Sequence, residues 1–453
     1  MFGNQNKTAA VGALPAALAG TDGVDTAASR RRGWLVTLLL MAFMVVNYAD
    51  KAVVGLAGVD IKTDLGLTHQ QFGLVQSSFY WLFAVGAVLL TGLTNKIGAR
   101  WLVGGLAALW CLSMIPLVGS IGFAGLLACR VLLGLAEGPA TAIAAHVVHT
   151  WFTPKRRALP SSLIFTGVAL GPLLAAPILT WVILSFDWHS AFLVLIVAGA
   201  LVVVAWLMFG KEGPVSAATT RDIDTATGSL LPERVPWMRL LTRPTLWGIA
   251  LLLFCGYWSV SLKVTWLPLY LREGVGYRPS ETGWLVSLPY ASGVVLSLLF
   301  GWLSGRLTAR GVSCNFTRGV IPTVMFFVTG AAMIGFTTLH RGIAQMVLIT
   351  LAFSLTTAVW GIAFAGLSDV VPGKQRGTVL GVIVAVHSLG GVIAPVVLGS
   401  FVDSGATLAA GYGRGFLATG IVICAGSAIA GFLIKPDRDA RAVANSAATA
   451  DSR

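Results

Sequence analysis

Five ionisable residues stand inside runs that are otherwise apolar: Asp50 and Lys51 in the first, Arg130 and Glu137 in the fourth, and Lys263 in the seventh. In hydrocarbon a charged side chain costs at least ~2.5–3.5 kcal/mol, so charge at that depth marks a pathway or a site. Arg130 and Glu137 are seven residues apart, which on a helix is two turns: roughly 10.5 Å along the axis and about the same face. A face carrying both charges belongs to a cavity inside the protein, not to lipid. Asp50 and Lys51 are neighbours, about 100° apart around a helix, so at most one of them faces that cavity squarely. The chemistry such a set can do is ion handling: cations that hold an anion, and carboxylates that exchange protons as water access changes. The alternative is a buried network that only pairs its own charges, which seldom adds net stability over an apolar replacement.

The elements that position these residues are legible as length and hydropathy. Of 453 residues, 56% are hydrophobic and 11% charged, with a mean hydropathy of +0.83. That is too little charge to cover a water-facing surface, since soluble proteins carry about 25%. Apolar runs long enough to cross a bilayer fall near 34–59, 72–94, 101–120, 122–150, 159–184, 191–209, 246–270, 281–304, 319–338, 343–371, 378–400 and 413–434. The expected fold is all-α, with twelve transmembrane helices in two six-helix, pseudo-symmetric halves, 34–209 and 246–434. Residues 210–245, with Gly213-Pro214, Ser/Thr-rich sequence and several charges, read as a cytoplasmic linker loop. Residues 1–33 and 435–453 read as cytoplasmic tails. The weakly apolar stretch Thr8–Gly20 lacks the dense Leu/Phe core of a signal peptide, and the 1–33 tail is expected to be disordered.

Twenty-three Lys and Arg gather on one side of this topology and five (Lys62, Arg272, Arg278, Arg341, Arg414) on the other. The positive-inside rule then places both termini in the cytoplasm. The net charge of +13 is therefore a topology signal and calls for no nucleic acid. Five scattered cysteines without a CxxC pair imply neither a disulfide framework nor a metal site. His146 and His149 have helical spacing for a metal, but no third ligand accompanies them.

The halves repeat: Asn95-Lys96-Ile97-Gly98-Ala99-Arg100 follows the second run and Gly305-Arg306-Leu307-Thr308-Ala309-Arg310 the eighth, with Arg100 and Arg310 210 residues apart. Further strings are Asn47-Tyr48-Ala49-Asp50-Lys51, Arg130-Val131-Leu132-Leu133-Gly134-Leu135-Ala136-Glu137-Gly138-Pro139, Trp151-Phe152 with Pro154 and Arg156-Arg157-Ala158, Trp266-Leu267-Pro268-Leu269-Tyr270-Leu271, and Gly391 with Pro395. In this order and spacing the chain resembles the major facilitator superfamily. Within it, the resemblance is to the anion:cation symporter family of galactonate, hexuronate and phthalate permeases and sialin-type carriers. That resemblance implies a proton-coupled symporter that imports a small organic anion by alternating access. Lys51 and Arg130 would hold its carboxylate, and Asp50 and Glu137 would carry protons. No cofactor is implied beyond the proton as coupling ion. The partners expected are the organic anion and the lipid bilayer, with the carrier a monomer in a plasma membrane, the inner membrane of a bacterium.

Shifting Lys51 by the repeat offset lands two residues from Lys263, which is therefore expected to contact substrate from the C-terminal half. Gly256, Ser259, Lys263, Trp266 and Tyr270 share a helical face expected to line the cavity. A lysine snorkelling to the outer headgroups is the alternative. Trp266 and Tyr290 are expected to shape the pocket, with His387 and Ser388 as polar cavity groups, or with His387 simply packed between helices. The sequence departs from the family pattern at several points. Lys51 replaces an Arg, losing the planar fork. Phe83, Val168 and Val384 stand where sugar-acid permeases carry hydrogen-bonding groups, which favours an aromatic or weakly hydroxylated carboxylate. Asn95 and Gly305 stand where an Asp commonly helps close the cytoplasmic gate. With Arg100 and Arg306 as the remaining gate residues, a resting state shifted toward inward-open is expected. An exchanger or exporter is a second reading. A membrane-embedded enzyme is a third, against which GxSxG, HExxH and P-loop strings are all absent and the charges lie deep in the membrane.

Overall fold

A computed structural model describes residues 27–93, 96–152, 156, 158–214 and 235–448 of the chain. Every backbone polar group in lipid must be satisfied within its own segment, so apolar runs of this length become helices. Six spans form the first half: α1 (Ser29–Leu56), α2 (His69–Leu90), α3 (Ala99–Val118), α4 (Phe123–Trp151), α5 (Leu159–Ser185) and α6 (Trp188–Phe209). Six form the second: α7 (Pro244–Thr265), α8 (Pro279–Ala309), α9 (Asn315–Thr337), α10 (Ile343–Val370), α11 (Thr378–Asp403) and α12 (Leu408–Leu433).

Helix pairing repeats from half to half. In the first, α1 packs on α5, α2 on α4 and α3 on α6; in the second, α7 packs on α11, α8 on α10 and α9 on α12. The halves meet along α2–α11 and α5–α8, contacts that a two-fold axis between the repeats interchanges. This is the internal symmetry that alternating access requires.

Two local departures from the expected spans have plain causes. The seventh run is interrupted at Trp266, because Pro268 cannot donate to the Val264 carbonyl; helix resumes over Leu267–Leu269 and widens over Tyr270–Gly274, where Val275 N–H donates to the Tyr270 carbonyl at 2.9 Å. The stretch beyond 434 includes a further helix, α13 (Pro436–Ala448). Its Asp439 accepts from Thr245 N–H at 3.0 Å, capping the start of α7, and Val443 packs with Val235 and Val370.

The hydrogen bonds and ion pairs joining the halves among the described residues lie toward the end of the bundle opposite the two termini. Arg272 pairs with Asp60 at 2.9 Å and Lys62 with Glu273 at 3.1 Å. Ser77 Oγ donates to the Val392 carbonyl at 2.6 Å, and Ser287 Oγ to the Leu173 carbonyl at 3.2 Å. The distal end is therefore closed.

Candidate functional site

The spacing of α4 against α2 decides where the α4 charges stand. Gly134 lies so close to α2 that a Cβ there would fall 1.8 Å from the Phe79 carbonyl oxygen; only glycine lets the backbones meet this way. That contact brings Arg130 and Glu137, each about one turn to either side, against the inner face of α2. Arg130 Nη2 donates to Gln76 Oε1 at 3.2 Å, and its guanidinium lies 4.7 Å from the Phe79 ring centroid. Its Nε and Nη1 are buried without a hydrogen-bond partner.

From α1, Lys51 forms an ion pair with Glu137. It also donates to Asn47 Oδ1 at 2.9 Å and lies 4.0 Å from the Tyr48 ring centroid. Asp50 is fully buried beside Glu137 and within electrostatic reach of both cations, yet neither of its oxygens has a hydrogen-bond partner. The four residues expected to work together are thus assembled. Both neighbours on α1 turn inward, Asp50 and Lys51 being 0% and 8% exposed.

An aromatic ladder leads from this charge cluster to the second half. Phe79 packs edge-on to Tyr80 at 5.0 Å and beside Phe83 at 5.6 Å. Tyr80 meets Tyr257 of α7 at 5.4 Å. Tyr257 in turn lies 4.5 Å from His387 and 5.7 Å from Trp360, centroid to centroid. Gly391 makes room for Tyr80, since a Cβ there would sit 2.8 Å from its ring. Phe83 and His387 are expected here from the sequence; Gln76, Phe79, Tyr80, Tyr257 and Trp360 are not. A signal existed: Gln76, Phe79, Tyr80 and Phe83 follow the i, i+3, i+4, i+7 pattern of one helical face.

The remaining expected site residues are more dispersed. Lys263 is buried at 3% exposure, so it does not snorkel to a headgroup. It donates to the Phe353 carbonyl at 3.3 Å under the ring of Tyr290, 4.4 Å from its centroid. Its helical face does not line a cavity as a unit: Gly256 abuts Phe326, Tyr270 bonds Gln345 at 3.2 Å, and Ser259 is fully buried. The reason is that α9, α10 and α12 cover that side of α7. Trp266 sits at the distal closure, donating to the Pro395 carbonyl at 3.1 Å against Phe72. Ser388 bonds its own helix at Val384, 2.8 Å away. Of the expected gate residues, Asn95 lies outside the described residues. Arg100 bonds the Leu207 carbonyl and Arg306 lies over Trp302, each within its own half.

The closure itself was not anticipated. His69 stands between two carboxylates of the other half, with Nδ1 2.9 Å from Asp403 Oδ1 and Nε2 3.1 Å from Glu273 Oε2. Tyr412 donates to Glu273 at 2.7 Å. Asp403 also accepts from the backbone N–H groups of His69 and Gln70 at 3.0 and 2.8 Å, so a residue of α11 caps the start of α2. Burial alone would raise the Glu273 carboxyl, but hydrogen bonds from His69, Tyr412 and Lys62 outweigh it and hold it down to about 2. Burial pushes the Lys62 ammonium below its usual value, and Glu273 pulls it partly back.

Twelve spans in two repeats around a buried charge cluster define a membrane carrier rather than an enzyme. The chain belongs to the major facilitator superfamily, whose family model matches residues 39–395. It is 28% identical over 406 residues to a hexuronate transporter of Bacillus subtilis (strain 168), covering 88% of this chain and 94% of that one. It is 27% identical over 418 residues to a probable sulfoacetate transporter of Cupriavidus necator, covering 89% and 93%. Among solved structures, a bacterial homolog of the human lysosomal transporter Spinster, inward-facing and occupied, superposes with a TM-score of 0.73 at 18% identity, covering 88% of this chain and 96% of that one. A D-xylose-proton symporter gives 0.73 at 15%, covering 89% and 98%.

Proposed function

We propose that this protein is a proton-coupled symporter that imports a small organic carboxylate across a bacterial inner membrane. The carrying observation is the Lys51–Glu137 ion pair beside an Arg130 with two unused guanidinium nitrogens and an unpartnered Asp50. With Glu137 ionised, Lys51 is occupied. A proton on Glu137 removes that charge, and Lys51 joins Arg130 in facing a substrate carboxylate. Asp50, adjacent to Lys51, is the second proton acceptor. Proton and anion then favour one another's binding, the reciprocity that coupling needs. The named substrates of the relatives above, hexuronate and sulfoacetate, are both acids, which supports an anion as cargo. On the reading that the Lys/Arg-rich end is cytoplasmic, the closed distal end faces outward. One chain holds both halves, so a monomer suffices.

The aromatic ladder favours a body that is flat or weakly hydroxylated over a sugar acid. Phe83, Val168 and Val384 offer no hydrogen bonds, so a polyol would lose its water without replacement. The test is uptake into proteoliposomes of glucuronate, galactonate, tartrate, phthalate and 4-hydroxyphenylacetate, with and without an inward proton gradient. Stimulated uptake by the wild type, with Glu137→Gln keeping counterflow but losing the stimulation, is the expected result. Equal gradient dependence in Glu137→Gln would refute the coupling role.

A further inference from the structure

We infer that the distal closure holds a proton-binding site of its own, centred on His69, and that a proton bound there locks the two halves together on that side. His69 belongs to the N-terminal half, at the start of α2. Nδ1 lies 2.9 Å from Asp403 Oδ1 at the end of α11. Nε2 lies 3.1 Å from Glu273 Oε2, in the segment after α7, and 2.5 Å from Lys62 Nζ, between α1 and α2. The Tyr412 ring of α12 stands edge-on at 6.2 Å, its hydroxyl committed to Glu273, and Trp266 stacks on the imidazole at 6.3 Å. The neighbouring charges Asp60 and Arg272 pair with each other. The His69 side chain keeps 14% of its surface exposed, so a proton reaches it without crossing the bundle.

Charge decides what the proton does. With a neutral ring, Nδ1–H donates to Asp403 and the bare Nε2 accepts from Lys62. Two carboxylates, Asp403 and Glu273, then face one ammonium, Lys62. Protonation places an N–H on Nε2 as well, so each ring nitrogen can donate to a carboxylate, and two cations now balance two acids. The Lys62–Nε2 hydrogen bond is given up, but Lys62 keeps Glu273 Oε1 at 3.1 Å. Two attractions against one repulsion favour the imidazolium. Both carboxylates belong to the C-terminal half. When the halves part on this side, His69 loses both and keeps as neighbour Lys62 of its own half, a cation. The closed form therefore binds the proton more tightly than the open one, and by linkage the proton favours closure. Closure is supported at acid pH, and this support fades as pH rises through the range where histidine changes charge, about 5 to 8. Glu273, held at about 2, stays ionised throughout that range and gives the proton a fixed partner.

The experiment reads the closure directly, as spin-label distances across it in the full-length protein in nanodiscs without substrate. Labels at Asp64→Cys and Thr407→Cys report the two halves, and spectra are taken at about pH 5.5 and about pH 8, either side of histidine titration. With His69 intact, the ratio of short to long distances is expected to fall about tenfold from the acid to the alkaline sample, the effect of a one-unit difference in proton affinity between the two forms. His69→Gln, which cannot take the charge, should give one distribution at both pH values. Asp403→Asn removes one of the two facing charges and should shrink the shift without abolishing it; it serves as the second variant if His69→Gln does not fold. Glu137→Gln should keep the full shift, so a failure of proton coupling at the central cluster leaves this site standing. No shift with His69 intact, an undiminished shift in His69→Gln or Asp403→Asn, or loss of the shift in Glu137→Gln would each overturn the His69 site.

Discussion

Lys51 depends on Glu137 for its counter-charge and on Asn47 for a hydrogen bond, so the pair is worth more intact than its parts. Breaking a buried pair by deleting one partner costs about 3–5 kcal/mol. Glu137→Gln should fall near ~3 kcal/mol, the low end, because Asp50 is adjacent and can take over part of the charge. Removing both partners together, as Lys51→Met with Glu137→Leu, should recover most of that loss, since neither member of the pair is left without its counter-charge. Thermal unfolding of the single and double variants in detergent measures the difference, and additivity of the two changes would contradict the pairing. Gradient-stimulated uptake should be lost in both, with counterflow kept in Glu137→Gln.

At the scale of elements, the α2–α4 contact holds the site together. Gly134→Ala forces a Cβ into the Phe79 carbonyl, which backbone cannot yield without spreading the helices. The expected cost is about 1–3 kcal/mol, together with weaker anion binding because Arg130 and Gln76 move apart. Unchanged anion affinity in a folded Gly134→Ala protein would show that the contact does not set the site. The docked α13 makes a separate prediction. Asp439 is almost fully buried and caps Thr245 at the start of α7. Asp439→Ala should therefore destabilise by about 0.5–2 kcal/mol, read as a lower unfolding temperature, and leave anion affinity unaltered.

For the whole molecule, the equilibrium between inward- and outward-facing forms passes through the distal closure. Glu273 is held at about 2 there, whereas an exposed glutamate titrates near ~4.3. A carboxyl with a depressed pKa supports the closed form above the higher value, and that support disappears as pH falls from ~4.3 toward 2. Glu273 should thus give the closure no pH dependence between about pH 5.5 and 8. Glu273→Gln should loosen it at every pH by ~1.5–3 kcal/mol, the value of hydrogen bonds to a charged group. Spin-label distances between Asp64 and Thr407, each replaced by cysteine, would lengthen in the variant. A distribution identical to wild type would mean that Asp60–Arg272 and His69–Asp403 suffice without it.

How much was legible from the chain follows from what each feature costs. Twelve spans and the repeat were visible because burying apolar length and excluding charge are properties of single segments. Asp50, Lys51, Arg130, Glu137 and Lys263 were visible for the same reason: each is expensive where it stands, whatever its neighbours. The choice of partners was not. That Glu137 takes Lys51, that Arg130 turns to Gln76, that Lys263 keeps no acid, and that His69 meets residues 204 and 334 positions away depends on how helices rotate and approach. Those rotations are decided by contacts such as Gly134 on Phe79 and Gly391 on Tyr80, which exist only once the helices are packed. Single-residue energies alone determined which groups must be sheltered, and the tertiary structure decided what shelters them.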